Sequence, residues 1–411
     1  MIAFVIIILL IFLFPVLNLG GVPIRLEDLF FLGIIFSAPK GSLIEVFSTP
    51  RKSVLIRLMF FFLVSNLVSL SWAILRGYTP ASGDLNSIFS FFRNIIIIIA
   101  GLILGKTLKV PFNKLLIVLS VGPLVSSVVS LIQYFNILGL GTYTYLMFGK
   151  PEDILGGITR VIGIFGNPNY AAFFQIVGFV SLICITGIKN PVAKLLFWVC
   201  TGLSLLSVLL TFSRTGLIGI ALTCVTFLIL KKKIRLLAFT IIIIIAAVIP
   251  NIPALISNTR YSVISEDDKT LDVTMGGRSD LIWEKKMEKF YSSPLFGIGP
   301  AKDDQSTTGF NTTLYDSSFF FLLVTTGVVG FLIMGVFLFF EIKYFYSLRN
   351  ASSSQVSIYF LLVNIAVLIF FITSDLVANP VFSSFFYFSI GIFTSYSERM
   401  NGGEYKIKNQ V

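Results

Sequence analysis

Residues 85–105 read Leu-Asn-Ser-Ile-Phe-Ser-Phe-Phe-Arg-Asn-Ile-Ile-Ile-Ile-Ile-Ala-Gly-Leu-Ile-Leu-Gly. The stretch is long enough to cross a hydrocarbon core, which takes about 20 helical residues. A strand of a membrane barrel alternates apolar and polar positions over about ten residues. Neither Ile95–Ile99 nor the similar run Ile241–Ile245 alternates. In lipid such a run is a helix, because a helix satisfies its own backbone N–H and C=O groups.

Comparable runs recur at 2–19, 28–47, 53–75, 114–137, 168–187, 192–211, 213–230, 236–255, 317–340, 356–374 and 380–397. Composition agrees. Of 411 residues, 56% are hydrophobic and 12% charged, against about 25% charged in soluble domains. The expected fold class is an all-α polytopic integral membrane protein with about twelve transmembrane helices. Residues 1–19 show no basic n-region and no small-residue cleavage site, so they are read as a retained first span.

The net charge of +11 does not point to nucleic acid, because the basic residues cluster in short loops at alternate span ends. With the N-terminus inside, those loops hold Lys40, Arg51, Lys52, Arg57, Lys106, Lys109, Lys114, Lys189, Lys194, Lys231, Lys232, Lys233, Arg235, Lys343 and Arg349. This is the distribution the positive-inside rule describes. Both termini then lie in the cytoplasm, and two long segments, 138–167 and 256–316, lie outside. Residues 1–411 are expected to form one membrane domain, with 256–316 as a large extracytoplasmic loop and 398–411 as a cytoplasmic tail. Within the loop, 278–291 is expected to be an amphipathic interfacial helix. Trp283, Met287, Phe290 and Tyr291 would lie opposite Glu284, Lys285, Glu288 and Lys289, with Pro294 ending it.

Several chemistries are excluded or not indicated. The chain has no histidine, so His-based triads, His metal sites and His general bases are absent. Cys184, Cys200 and Cys224 fall in expected spans, which argues against a disulfide framework. There is no Walker-type glycine loop and no Asp-x-Asp pair outside to clamp a metal–diphosphate. Neither a cofactor nor a metal is expected.

The remaining polar residues are the candidates, each with two readings. Arg278, after Gly276-Gly277, suits a bidentate phosphate contact or is a surface arginine paired with Asp280. Arg214, in Thr-Phe-Ser-Arg-Thr-Gly (211–216), is a ligand contact or an interfacial anchor beside a Ser213 cap. Arg160 opens Arg-Val-Ile-Gly-Ile-Phe-Gly-Asn-Pro-Asn-Tyr (160–170), where Asn167 and Pro168 read as a helix cap and first helical residue. Gly163 and Gly166 would let backbone approach a ligand closely. Asp316, before the span at 317, is a helix cap or, with no histidine to serve, a general base. Arg93 lies deep in its span, where a charge normally faces the bundle interior. Arg25 and Asp28 are expected to pair with each other.

Ser-Arg-Thr-Gly (213–216), Gly-Arg-x4-Trp (277–283), Pro-Leu-Phe-Gly-Ile-Gly-Pro (294–300), Asp-Ser (316–317) and Thr-Gly-Val-Val-Gly (326–330) follow in order. Together they resemble the O-antigen polymerase and ligase family of bacterial envelopes. The resemblance spans roughly Arg160 to Gly330. It implies transfer of an oligosaccharide from an undecaprenyl-diphosphate-linked donor to an acceptor at the outer face of the inner membrane. Arg214 and Arg278 would then contact the diphosphate, Arg160 would add to them, Arg93 would support them, and Asp316 would be the catalytic base. Partners implied are the lipid-linked donor and acceptor, membrane lipid and a chain-length regulator. Ligases of the family carry a histidine where this chain has Asp316, whereas polymerases more often show Asp-Ser there, so the resemblance favours a polymerase. A transporter or flippase is the reading from a different class. Against it, most polar chemistry lies outside the bilayer rather than at the midplane.

Overall fold

The computed structural model describes residues 2–13, 17–19, 22–80, 82–148, 160–232, 284–300, 317–350, 353–374, 376–377 and 379–408. Helix α1 (Ile2–Leu13) is followed by a short antiparallel ribbon, β1 (Leu17–Leu19) with β2 (Val22–Ile24), in which Leu17 pairs with Ile24 and Leu19 with Val22. Then come α2 (Leu26–Ser37), α3 (Lys40–Ser48), α4 (Pro50–Leu75), α5 (Ser82–Thr107), α6 (Phe112–Phe135) and α7 (Leu140–Phe148). The second half holds α8 (Pro168–Ile183), α9 (Pro191–Leu210), α10 (Arg214–Leu230), α11 (Glu284–Ser292), α12 (Ser318–Ser347), α13 (Ser354–Thr373) and α14 (Pro380–Lys408). Proline opens α4, α8, α9 and α14, at the end of a helix where a missing N–H and a fixed φ cost nothing.

Among the described residues, six helices are long and apolar enough to cross a membrane: α4, α5, α6, α9, α12 with the short turn that follows it, and α13. A seventh is reached if α2 and α3, bent by 99° at Pro39, count as one broken span. The chain is thus a polytopic helical membrane protein, but the count of twelve is not reproduced. The helix of the expected first span ends at Leu13, and residues 17–19 of that span lie in strand β1 instead. Its 12 residues reach about 18 Å, short of the roughly 30 Å hydrocarbon core. Helices α8 and α10 are also short, at 16 and 17 residues. The expected span 236–255 lies outside the described residues. Helix α14 continues past 397 to Lys408, so the expected tail begins inside a helix.

The tightest helix pair is α5 with α14. Its seam holds Gly101 and Gly105, one turn apart on α5, and Gly391 on α14. A Cβ on Gly101 would lie 2.6 Å from the Phe388 carbonyl, and one on Gly105 would collide with the Ile392 carbonyl. Small residues four apart let two backbones touch, the packing that lipid-embedded helices rely on in place of a hydrophobic driving force. Phe4 and Phe31 pack against Phe388 beside this seam.

A second feature joins two parts of the sequence that look unrelated. Helix α12 is interrupted at Gly327, whose φ of 66° and ψ of −171° are not helical. The segment 293–299 fills the interruption: Ile298 N donates to the Val324 carbonyl (3.0 Å), Gly299 N to that of Thr325 (3.3 Å). In return, Val328 N donates to the Pro294 carbonyl (2.9 Å) and Val329 N to that of Leu295 (3.2 Å). The backbone groups freed by the break are thereby satisfied, as lipid requires. Gly297 and Gly327 meet face to face, each with a positive φ and each without room for a Cβ. Helix α4 locks the assembly. Ser69 Oγ accepts from Gly299 N (3.1 Å) and donates to the Thr325 carbonyl (2.5 Å), while Trp72 Nε1 donates to Ser293 Oγ (3.0 Å). Of the expected amphipathic helix 278–291, α11 covers the end. Phe290 packs on the core, but Tyr291 is exposed and does not share its face.

Replacing Gly105 with Leu is expected to overpack the α5–α14 seam by about 1–3 kcal/mol. The check is a lowered unfolding midpoint of the purified protein in detergent, with membrane insertion unchanged.

Candidate functional site at one end of the bundle

The starts of α8, α10, α12 and α14 and the ends of α9 and α13 meet at one end of the bundle, and hydrogen bonds tie them into one array. The segment 160–167 is its least regular part. Its backbone is taken up by Gln133 of α6, whose Oε1 accepts from Ile162 N (3.0 Å) and Gly163 N (2.9 Å). The Gln133 Nε2 donates to the Gly163 carbonyl (3.1 Å). Gln133 is buried, as are Ser126 and Ser130 on the same face, and Ser130 Oγ accepts from Gln175 of α8 (2.9 Å). Gly163 packs against Ser126 and Gly166 against the Phe148 carbonyl. Their closeness therefore serves the protein's own packing rather than approach to a ligand.

Asn167 caps α8, its Oδ1 accepting from Asn169 N at 2.8 Å, with Pro168 as the first helical residue. Both are as expected. Arg160 turns toward the end of α9: its Nε donates to the Thr211 carbonyl (3.1 Å) and an Nη to that of Phe212 (3.5 Å). Its own carbonyl accepts from Tyr145 OH (2.7 Å). A guanidinium on the last carbonyls of a helix sits at the negative end of the dipole. Arg160 is thereby held beside the turn that leads into Arg214.

Phe212 makes that turn with a φ of 46°, an uncommon conformation for a bulky residue. Ser213 caps α10 by accepting from Gly216 N (3.0 Å), and its hydroxyl donates to Asn169 Oδ1 (2.8 Å), coupling the α8 and α10 starts. Arg214, the first residue of α10, is exposed. Thr215 Oγ1 donates to Thr373 Oγ1 at the end of α13 (2.8 Å). From there Ser374 links to α12: Ser318 N and Oγ both donate to its carbonyl, at 3.0 and 2.9 Å. Ser318 Oγ also accepts from Leu376 N (2.8 Å) and Val377 N (3.2 Å). Asn379 Oδ1 accepts from Phe382 N at the start of α14 (2.9 Å).

The cap of α12 is Ser317, so the capping alternative for Asp316 does not hold. Asp316 itself and Arg278 lie outside the described residues.

Arg93 belongs to the same end but to a separate cluster. Its Nε donates to Asp28 Oδ1 (2.6 Å), and Nη2 reaches Ser384 Oγ on α14 (2.6 Å) and Glu27 Oε1 (3.5 Å). Arg25 pairs with Glu27 through its guanidinium and donates another N–H to the Ile11 carbonyl (2.8 Å). The expected Arg25–Asp28 ion pair is thus replaced. Asp28 takes Arg93, and accepts from the Arg25 backbone N–H (3.0 Å), because its place in the first turn of α2 suits a capping box. Two arginines and two carboxylates leave this cluster with no net charge, which is how ionised groups survive at such depth.

Sequence reading passed over Gln133, Asn169 and the 373–379 turn. A signal for the first existed, since Ser126, Ser130 and Gln133 recur at helical spacing on one face of an apolar span. Among the described residues, no three or more Asp, Glu or Cys gather closely enough to hold a metal.

The array can do one thing well. Four helix N-termini carry partial positive charge, and Arg160 and Arg214 add full charges, so the end suits an anionic group. The chain is therefore a polytopic helical membrane protein with a polar, cationic site at one end of its bundle. Residues 199–335 match the model of the O-antigen ligase family, which supports the resemblance to O-antigen polymerases and ligases and a function of that general type. These are membrane glycosyl-transfer enzymes acting on polyprenyl-linked saccharides. Arg214, Arg278 and Asp316 fall within the matched residues; Arg160 and Arg93 precede them. No curated protein matches the chain.

Changing Gln133 to Leu strands two buried N–H groups, at about 1–3 kcal/mol each. The expected result is a lower unfolding midpoint together with new protease sensitivity at 160–167, whereas Gln133→Glu, which keeps the acceptor, should lose less.

Proposed function

We propose that the protein is a polysaccharide polymerase of the bacterial inner membrane. It joins polyprenyl-diphosphate-linked oligosaccharide repeat units into a surface polysaccharide at the outer face. The observation that carries this reading is the array that gathers Arg160, on the turn before α10, and Arg214, at the start of α10, with the starts of α8, α12 and α14, Arg214 lying within the O-antigen ligase match. A diphosphate needs such a cluster of fixed positive charge.

In this reading, Arg160, Arg214 and Arg278 hold the donor diphosphate without calling on a metal, and the Arg93 cluster keeps the α2, α5 and α14 ends in register. The acceptor hydroxyl oxygen attacks the anomeric carbon and the bond from that carbon to the diphosphate oxygen breaks. The bonding pair leaves with the polyprenyl diphosphate, whose growing charge the arginines offset. The hydroxyl proton passes to Asp316, and attack from the opposite face inverts the anomeric centre. The polyprenyl chain has a path: an apolar groove of about 370 Å³ between α4 and α12, lined by Phe61, Val68, Phe296, Val329 and Val336. It lies beside the Gly327 break, about two turns below Ser318. A chain-length regulator is the proposed partner.

The matched model is named for the ligase reaction, so a ligase is the second reading. The lack of any histidine in the chain favours the polymerase. A transporter would keep the groups of a broken helix for its substrate, but here segment 293–299 takes up those of the Gly327 break.

A strain deleted for the protein and complemented with wild type should regain a full polysaccharide ladder on a gel. Arg214→Ala and Arg278→Ala are each expected to leave single-repeat material, with turnover down by about 10²–10³. Long chains that stay on the lipid carrier in the deletion strain would mean a ligase, and an unchanged ladder would remove both readings. Asp316→Asn with full activity would remove the proposed base.

A further inference from the structure

At the other end of the bundle, away from the array, a second cavity of about 370 Å³ opens between the starts of α6 and α13 and the ends of α5 and α14. It has no part in the proposed transfer. Its rim holds two cations. Lys109 is exposed and Arg399 half-buried, and no carboxylate among the described residues pairs with either. Arg399 is fixed in place: it stacks 4.9 Å from the Tyr396 ring centroid and donates one N–H to the Leu108 carbonyl. Tyr396 is fixed in turn by its hydroxyl on the Val110 carbonyl at 2.8 Å. A guanidinium has five N–H donors, so most remain for a ligand.

Two long helices also start here. Helix α6 begins after Pro111 and α13 after Ser353, and neither cap residue gives its helix a side-chain hydrogen bond. The first-turn N–H groups of both helices are thus uncapped by side chains beside the cavity, at the positive ends of 24- and 20-residue dipoles. Glu398, the carboxylate nearest in sequence to Arg399, is engaged by Lys52 at 3.1 Å. Lys109, Arg399 and the two helix starts thus present positive charge to the cavity, and no described carboxylate neutralises either cation. Val110, Pro111, Phe112, Val356 and Met400 make the rest of the lining mostly apolar, and the Nε2 of the one further polar residue, Gln355, is held by Asn113 Oδ1 and the Cys184 carbonyl.

Phosphate on an acyl-chain body fits both halves. The charge distribution puts this end of the bundle at the cytoplasmic leaflet, where anionic phospholipids attract basic pockets between helices. We propose that the cavity between α5, α6, α13 and α14 binds the phosphate head group of an anionic phospholipid of the inner leaflet. The site is independent of the polymerase reading and stands or falls without it.

The test uses the full-length protein in neutral detergent. Phosphatidylglycerol, phosphatidylcholine and inorganic phosphate are added separately, and bound lipid is counted by native mass spectrometry alongside the unfolding midpoint. Phosphatidylglycerol should be retained about ten-fold or more over phosphatidylcholine, given about 1 kcal/mol per basic residue near an anionic lipid. Lys109→Glu and Arg399→Gln should remove most of that preference, while Lys194→Glu, a basic residue outside the cavity, should not. Because Arg399 also bonds backbone, exposed Lys109 carries the test if Arg399→Gln misfolds. Equal retention of the two lipids, or equal effects of Lys109→Glu and Lys194→Glu, would overturn the site. A shift given in full by inorganic phosphate alone would overturn the lipid assignment.

Discussion

Backbone N–H and C=O groups cannot be left to the bilayer, and everything irregular in this protein answers to that constraint. Among the described residues, the stretches that depart from helix include 160–167, the Gly327 break with segment 293–299, and the turn after Thr373. Each is satisfied by a partner distant in the chain. Gln133 serves the first, α12 and segment 293–299 serve one another, and Ser318 serves the third. In each case the partner is a polar side chain or an opposed backbone that helix packing has carried there. The irregular stretches are consequently rigidly placed, and rigid placement is what a site on non-helical backbone needs.

Charge obeys the same accounting. Arg93 and Arg25 are buried only because Glu27 and Asp28 neutralise them and Ser384 and the Ile11 carbonyl take further N–H groups. Arg160 is half-buried on the carbonyls that end α9. Arg214 stands at an exposed helix start. The arginines of one end thus divide into a pair spent on structure and a pair left near an anion-favouring surface.

The union of 293–299 with α12 has a consequence for the large loop. Both sides of segment 301–316 are pinned to described helices, at Pro300 through the Gly299 contacts and at Ser317 through the α12 cap. Arg278 lies six residues before the start of α11, which packs on α12.

Much of the fold was legible in residue order. Apolar runs marked the spans, Asn167 and Pro168 marked the start of α8, and Ser213 marked that of α10, because span length and capping are local properties. The residues of Ser-Arg-Thr-Gly and the Asn167-Pro168 pair were legible too, as polar islands in an apolar chain. Not legible were the shortness of α1, the bend at Pro39, the exchange of partners among Arg25, Asp28 and Arg93, and the union of 293–299 with Gly327. Those depend on which helices pack together, and hydropathy carries no information on that, since lipid and protein interior are equally apolar. The sequence by itself determined that this chain crosses a membrane and which few polar residues it keeps. Only the tertiary structure decided which of them meet, because the hydrogen bonds that hold Arg160 on the Thr211 and Phe212 carbonyls, and Ser213 on Asn169, join residues tens of positions apart.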